Sequence, residues 1–235
     1  MVPGARQDLS RLEAFSDAVF AFALTLLVVS LEVPSSYADL MRLMTGFVPF
    51  AASFALLTWI WYEHTAFFRA YRLQDPLTAT INAMLLFVVL FYVYPLKFLF
   101  TAAFSTFIPV MEPTLRATGG QLARIYAIYG AGFVAIFLIF TLLHVQAYRC
   151  RTSLQLTPLQ IFDLRRAGGA HLVSVAVGLA AILMALVPPL EVAVFSGLTY
   201  FLMAPAHWIY GVTGERRRNA FLAALERDAA VAAEG

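Results

Sequence analysis

Charge is what this sequence has least of: aspartate, glutamate, lysine and arginine together make 13% of its 235 residues. A soluble domain carries about twice that share, because its surface must be wetted, so a water-facing globular fold is excluded. Cysteine is nearly absent as well. With Cys150 alone, neither an intramolecular disulfide nor a cysteine-based zinc site can form. No helix carries two histidines four apart in the zinc-protease pattern, and no nucleophile stands at a useful spacing from an acid and a base. Nothing points to an enzyme, to a resident metal or to an organic cofactor. A net charge of +2 and a pI near 8.8 would suit a nucleic-acid binder only if the basic residues formed a domain of their own. They lie beside apolar runs instead, which removes nucleic acid as a partner and leaves membrane lipid.

What is abundant is apolar length. Hydrophobic residues make 61% of the chain and mean hydropathy is +0.79. They gather into six runs, roughly 12–33, 45–69, 76–104, 120–149, 169–187 and 190–212. As a helix each is long enough to cross a hydrocarbon core about 30 Å thick, and a helix satisfies its own backbone there. The reading is an all-α integral membrane protein with six transmembrane helices per subunit. Chemistry supplies the breaks: Pro34-Ser-Ser, Asp75-Pro76, Glu112-Pro113 with Gly119-Gly120, a polar link bracketed by Thr157-Pro158 and Gly168-Gly169, and Pro188-Pro189. Pro188-Pro189 makes the last two helices antiparallel neighbours. Small residues on the fifth (Gly169, Ala170, Ser174, Ala176, Gly178, Ala180, Ala181) permit close helix approach. Residues 1–214 read as the six-helix transmembrane domain and 215–235 as a cytoplasmic, amphipathic, Ala-rich tail.

Basic residues set the orientation. Arg6, Arg11, Arg69, Arg72, Arg149, Arg151, Arg165, Arg166, Arg216, Arg217, Arg218 and Arg227 fall on one side, and Arg42, Arg116 and Arg124 on the other. That bias puts both termini in the cytoplasm, which an even number of crossings allows. Arg6 and Arg11 ahead of the first run imitate a signal peptide, but Glu13 and Asp17 at its edge do not suit one. The run is therefore read as a retained helix. Lys97 reads as a snorkelling residue near the outer end of the third run. Arg216-Arg217-Arg218 is most simply a stop-transfer anchor, with anionic lipid contact as the second reading. His144 and His171, near the ends of their runs, read as interfacial and solvated.

The first helix has two faces. At 100° per residue, Arg11, Phe15, Ala18, Thr25, Leu26 and Val29 lie within about 60° of Phe22, while Glu13, Ser16 and Asp17 lie on the far side. One face is thus an apolar stripe of Phe22, Leu26 and Val29 with one hydroxyl, that of Thr25. An aspartate inside a spanning helix is costly unless it is paired, protonated or hydrated, and so marks a candidate functional site. Counted from the cytoplasmic boundary, Ser16, Asp17, Trp61, His64 and Asn82 sit at matching depth, roughly 8–12 Å in at 1.5 Å per residue. They would form one hydrogen-bonded layer across three helices. From the residues alone this layer either fixes helix packing or takes a direct part in transport, and both readings stay open.

Arg11-x-x-x-Phe15-Ser16-Asp17, followed by Ala-Val-Phe-Ala-Phe-Ala-Leu-Thr-Leu-Leu, resembles the signature of the transmembrane protein 175 family, potassium channels of endosomes and lysosomes with single-repeat bacterial relatives. Trp61-Tyr-Glu-His64, Phe68-Arg69 and Asn82-Ala-Met-Leu-Leu-Phe extend the resemblance over about the first hundred residues. It implies a one-repeat bacterial member, in the inner (plasma) membrane, assembled as a homotetramer. The first helices would line a central pore, and K+ would be the permeant ion, passing transiently near Thr25. The tetrameric P-loop channel fold, with its Thr-Val-Gly-Tyr-Gly filter, is not implied, and no such segment occurs here. Carried over residue by residue, the pore-facing positions are Phe22, Thr25, Leu26 and Val29, the same four as the stripe. The supporting network is Arg11, Phe15, Ser16, Asp17, Trp61, His64 and Asn82. Two positions depart from the family pattern: Phe22 stands where isoleucine is common, and Thr65 follows His64 where a second histidine is usual. A proton-conducting channel or proton-coupled transporter using Asp17 and His64 is the alternative, and a non-transporting scaffold the third reading.

Overall fold

A computed structural model describes residues 11–29, 33–105, 119–187 and 190–234. Every regular element among them is helical: α1 (Arg11–Val29), α2 (Tyr37–Thr45), α3 (Phe47–Tyr71), α4 (Pro76–Ser105), α5 (Gly119–Arg149), α6 (Pro158–Leu186), a 3-10 segment (Leu190–Leu202) and α7 (Met203–Glu234). Four helices, α1, α4, α5 and α6, are long and apolar enough to cross a membrane. They become five if the bent pair α2 and α3 makes one span. Arg6, Glu112-Pro113, Arg116 and Pro188-Pro189, used above as topology signals and breaks, lie outside the described residues.

The chain divides into two compact units, residues 1–117 and 118–235. In the first, α1, α3 and α4 pack on one another. Local chemistry fixes the ends of these helices. The Asp75 carboxylate accepts from the Thr78 backbone N–H at 3.1 Å, an N-cap for α4 just ahead of Pro76, which gives up no needed donor there. Arg72, at φ 48°, closes α3 in the left-handed cap, its N–H bonded to Phe68 O. Before α3, the short α2 is capped by Ser36, whose hydroxyl accepts from Asp39 N. This helix was not expected: nine residues are too few for the periodic signal that marks a spanning helix.

In the second unit, α5, α6, the 3-10 segment and α7 pack together. Here the sequence reading needs three corrections. First, α6 begins at Pro158, inside a capping box in which Thr157 and Gln160 bond each other's backbone, and it runs straight through Gly168-Gly169. Those glycines make room rather than a turn. A Cβ on Gly168 would lie 2.9 Å from His144 Cβ, and one on Gly169 would collide with the Tyr210 hydroxyl. Second, His144 and His171 are buried. With α6 starting at Pro158, His171 stands mid-helix, its ring 4.9 Å from that of His144 and 5.1 Å from that of Phe140. Third, the run 190–212 is not one α-helix. Its first thirteen residues are 3-10 and pass directly into α7, which continues through Glu215 to Glu234.

Steric fit dominates this unit. Gly178 lies against Val134 and Phe133, and the Phe133 ring sits 4.7 Å from Phe137 and 5.1 Å from Tyr200. With lipid tails as apolar as leucine, such close packing, rather than the exclusion of water, holds spanning helices together. At one end α6 and α7 are tied by ion pairs, Arg166–Glu215 at 2.9 Å and Arg218–Asp163 at 2.9 Å. The Tyr210 hydroxyl also donates to Arg166 O.

Candidate functional site

The candidate site is built on α1, α3 and α4 in the first unit. Helical periodicity turns Ser16, Phe20, Ala23 and Leu27 to one side of α1, and all four are buried. His64 on α3 and Asn82 on α4 are buried too, while Asp17 and Trp61 are half-buried. These polar groups do not form a single ring; they divide into two hydrogen-bonded sets. In one, Trp61 Nε1 donates to Asp17 Oδ1 at 2.8 Å, tying α3 to α1. In the other, Asn82 Nδ2 donates to Ser16 Oγ at 2.9 Å, and the Asn82 Oδ1 lies 2.8 Å from His64 Nε2.

The second set has a direction. With its amide nitrogen committed to Ser16, Asn82 offers only an acceptor to His64, so His64 Nε2 carries the proton. Ser16 in turn donates to Leu12 O at 2.8 Å. The result is a chain from α3 through α4 to the backbone of α1. His64 also packs between aromatic rings, 5.4 Å from Phe20 and 4.6 Å from Phe68. Its Nδ1 and the Thr65 hydroxyl are buried without a partner among the described residues. Phe20 and the Leu12 carbonyl were not singled out from sequence, and Phe68 entered only as part of the family resemblance. Phe20 was readable as one turn beyond Ser16, but the direction of the chain was not.

The opposite face of α1 is largely exposed. Phe22 is 57% exposed and Val29 68%, Phe15 is exposed beside them, and Leu26 is half-buried. Thr25 is exposed and gives its hydroxyl proton to Ala21 O at 2.9 Å, so its oxygen keeps lone pairs free to accept. Arg11, at the start of the helix, is exposed. The structure thus brings Ser16, Asp17, Trp61, His64 and Asn82 together. It leaves Arg11, Phe15, Phe22, Thr25 and Val29 exposed.

Fold and site define an all-helical integral membrane protein whose first helix is bonded to its neighbours on one side and uncovered on the other. Residues 11–92 match the family model described as endosomal/lysosomal potassium channel TMEM175. A potassium channel of Marivirga tractuosa is 38% identical over 221 residues, 89% of this chain and 90% of that protein. A potassium channel of Chamaesiphon minutus is 29% identical over 143 residues, 57% of this chain and 64% of that one. Among solved structures, a variant of the potassium channel MtTMEM175, crystallised with a nanobody–MBP fusion protein, superposes with a TM-score of 0.78. It is 35% identical and covers 92% of this chain and 99% of its own. A lysosomal potassium-selective channel TMEM175 homolog from Chamaesiphon minutus shares the fold at a TM-score of 0.50, with 24% identity over 89% of this chain and 97% of its own. The chain belongs to the TMEM175 family.

Proposed function

We propose that this chain is a potassium-selective channel of the bacterial inner membrane, working as a homotetramer with four α1 helices around a central pore. The observation that carries this reading is the division of α1. One face is fixed to α3 and α4 through Ser16 and Asp17, while Phe22, Thr25 and Val29 are left uncovered. A helix held so firmly on one side can present a precise surface to an axis on the other. Four Phe22 rings would form a hydrophobic constriction able to gate by dewetting. Four Thr25 oxygens, their protons spent on Ala21 O, would offer a ring of acceptors to a partly dehydrated K+. Leu26 and Val29 continue the wall. The names of the relatives, potassium channels throughout, support the choice of ion.

In this reading both termini are cytoplasmic and each subunit crosses the membrane six times. The sixth crossing is made by the 3-10 segment with the first turns of α7. At about 2.0 Å per residue, a 3-10 helix covers more depth with fewer residues than an α-helix does.

The test is cation flux from purified protein in liposomes, with the mass of the assembly measured alongside. Potassium flux exceeding sodium flux is expected. Phe22→Ala should raise conductance, and Thr25→Val should lower the preference for potassium. Unchanged conductance and selectivity in both variants would dismiss the α1 pore. No flux of either cation at any pH would dismiss the channel altogether.

A further inference from the structure

We propose that the second unit binds an anionic phospholipid at the junction of α5 and α6, its phosphate held by Arg149, Arg151 and Arg165. Three observations meet there. The first is a pair of guanidinium groups on one aromatic ring. The Arg151 guanidinium carbon lies 4.4 Å from the centre of the Tyr148 ring and that of Arg165 lies 5.6 Å from it. The two cations are therefore no farther apart than those distances laid end to end. Arg151 is further fixed by a hydrogen bond to Tyr148 O at 3.0 Å. Two cations gathered on one ring concentrate positive charge at this spot, and an arginine fork suits a phosphate in two-point geometry.

The second observation is that, among the described residues, no carboxylate pairs with these three arginines. At this end of the unit Asp163 is bonded to Arg218 and Glu215 to Arg166. Among the described residues Arg149, Arg151 and Arg165 have no ion pair.

The third selects a lipid over a free anion. Leu138, Leu142 and Val145 are exposed on α5 in a stripe about 60° wide that also contains Arg149. On α6, Leu172, Leu179 and Leu183 are exposed in a stripe about 40° wide that begins at Arg165. Both helices are apolar enough to span a membrane. Each stripe is thus an apolar track that ends in an arginine, which suits an acyl chain lying below an acidic headgroup. Arg216 and Arg217, on α7, are not part of this arrangement.

The experiment uses full-length protein purified in neutral detergent and stripped of lipid. Phosphatidylglycerol and phosphatidylcholine with identical acyl chains are added separately. Thermal midpoint and retained lipid, the latter by native mass spectrometry, are then read. Phosphatidylglycerol should raise the midpoint by several degrees more than phosphatidylcholine and remain bound through desolvation. In Arg151→Gln/Arg165→Gln, phosphatidylglycerol binding should fall roughly tenfold or more, the scale set by removing two headgroup arginines. Midpoints in phosphatidylcholine should match the wild type. Arg216→Gln/Arg217→Gln should keep the phosphatidylglycerol preference; equal loss there would mean diffuse attraction and overturn the site. Equal effects of the two lipids on wild type would overturn it as well. So would millimolar inorganic phosphate reproducing the shift, or a changed assembly mass in the Arg151→Gln/Arg165→Gln variant, which would mark a subunit contact instead.

Discussion

The two units bury their side chains by different rules. In residues 1–117 the helices are tied by directional polar bonds, Trp61 to Asp17 and His64 through Asn82 to Ser16. In residues 118–235 they are tied mainly by steric fit: glycines set against Val134, Ile182 and His144, and tilted rings packed around Phe137. The family model matches 11–92, inside the first unit. A hydrogen-bond chain needs particular atoms at particular places, whereas a packed interface can be met by many combinations of large and small residues. Recognisable motif and polar network therefore coincide, and whole-length similarity to relatives such as the Marivirga tractuosa channel extends over the second unit.

The sharpest test of that contrast removes the central link. Asn82→Leu strips His64 Nε2–H of its acceptor and Ser16 Oγ of its donor in a buried place, which should cost about 3 kcal/mol. The loss should appear as a fall in thermal midpoint or in resistance to denaturing detergent. In the second unit the matching insult is Gly178→Val. Its Cβ would stand 2.7 Å from Val134 Cγ2 and 3.0 Å from Phe133 Cδ1, and overpacking of this kind costs about 2 kcal/mol. Pairing Gly178→Val with Val134→Ala should recover part of that loss, because volume is what was violated. No apolar replacement at His64 should rescue Asn82→Leu fully, since Ser16 would still lack its partner. If a volume change repaired the Asn82 site and not the Gly178 site, the contrast would be lost.

A finer test asks what the charge on Asp17 contributes. Asp17→Asn keeps an oxygen facing Trp61 Nε1 but turns a charge-assisted bond into a neutral one, at a cost of about 1 kcal/mol. Cation flux in liposomes should persist once folding is matched. Loss of flux from a folded, assembled Asp17→Asn protein would move Asp17 from the packing network to a direct part in transport, and the proton-pathway reading would gain ground.

Much of the first unit was legible because lipid punishes buried polarity. An aspartate, a histidine and an asparagine at one depth must find partners, and counting residues from the membrane boundary groups them. Depth does not give azimuth, so the division into a Trp61–Asp17 pair and a His64–Asn82–Ser16 chain could not be read. The same wheel gave the bare stripe of Phe22, Thr25 and Val29, because periodicity fixes faces even when it does not say what covers them. The second unit was harder to read. Gly168-Gly169 carries the signal of a turn, yet in α6 each glycine is the space occupied by His144 or Tyr210 on a neighbouring helix, a tertiary fact with no local trace. Placing a link there shifted the start of the fifth helix and made His171 look interfacial. Likewise the run 190–212 has ample hydrophobicity for a span, but periodicity does not distinguish 3-10 winding from α over so short a stretch.

The weakest effect should come from the ion pair at the end of the second unit. Arg218 donates to both oxygens of Asp163, at 2.9 and 3.3 Å, in the two-point geometry that strengthens such pairs, but both side chains are partly exposed to solvent. Water weakens their attraction and side-chain entropy opposes it. Arg218→Gln should therefore lower the thermal midpoint least of the four variants. The separation from Asn82→Leu becomes clear with salt. At about 1 M ionic strength the screening length is roughly 3 Å, so the Arg218→Gln deficit should vanish while the Asn82→Leu deficit, buried beyond the reach of ions, stays. A deficit in Arg218→Gln that survived high salt would mean that Asp163 and Arg218 hold the fold in the way argued for His64, Asn82 and Ser16. The line between a unit held by polar bonds and a unit held by fit would then run through α6 and α7 as well.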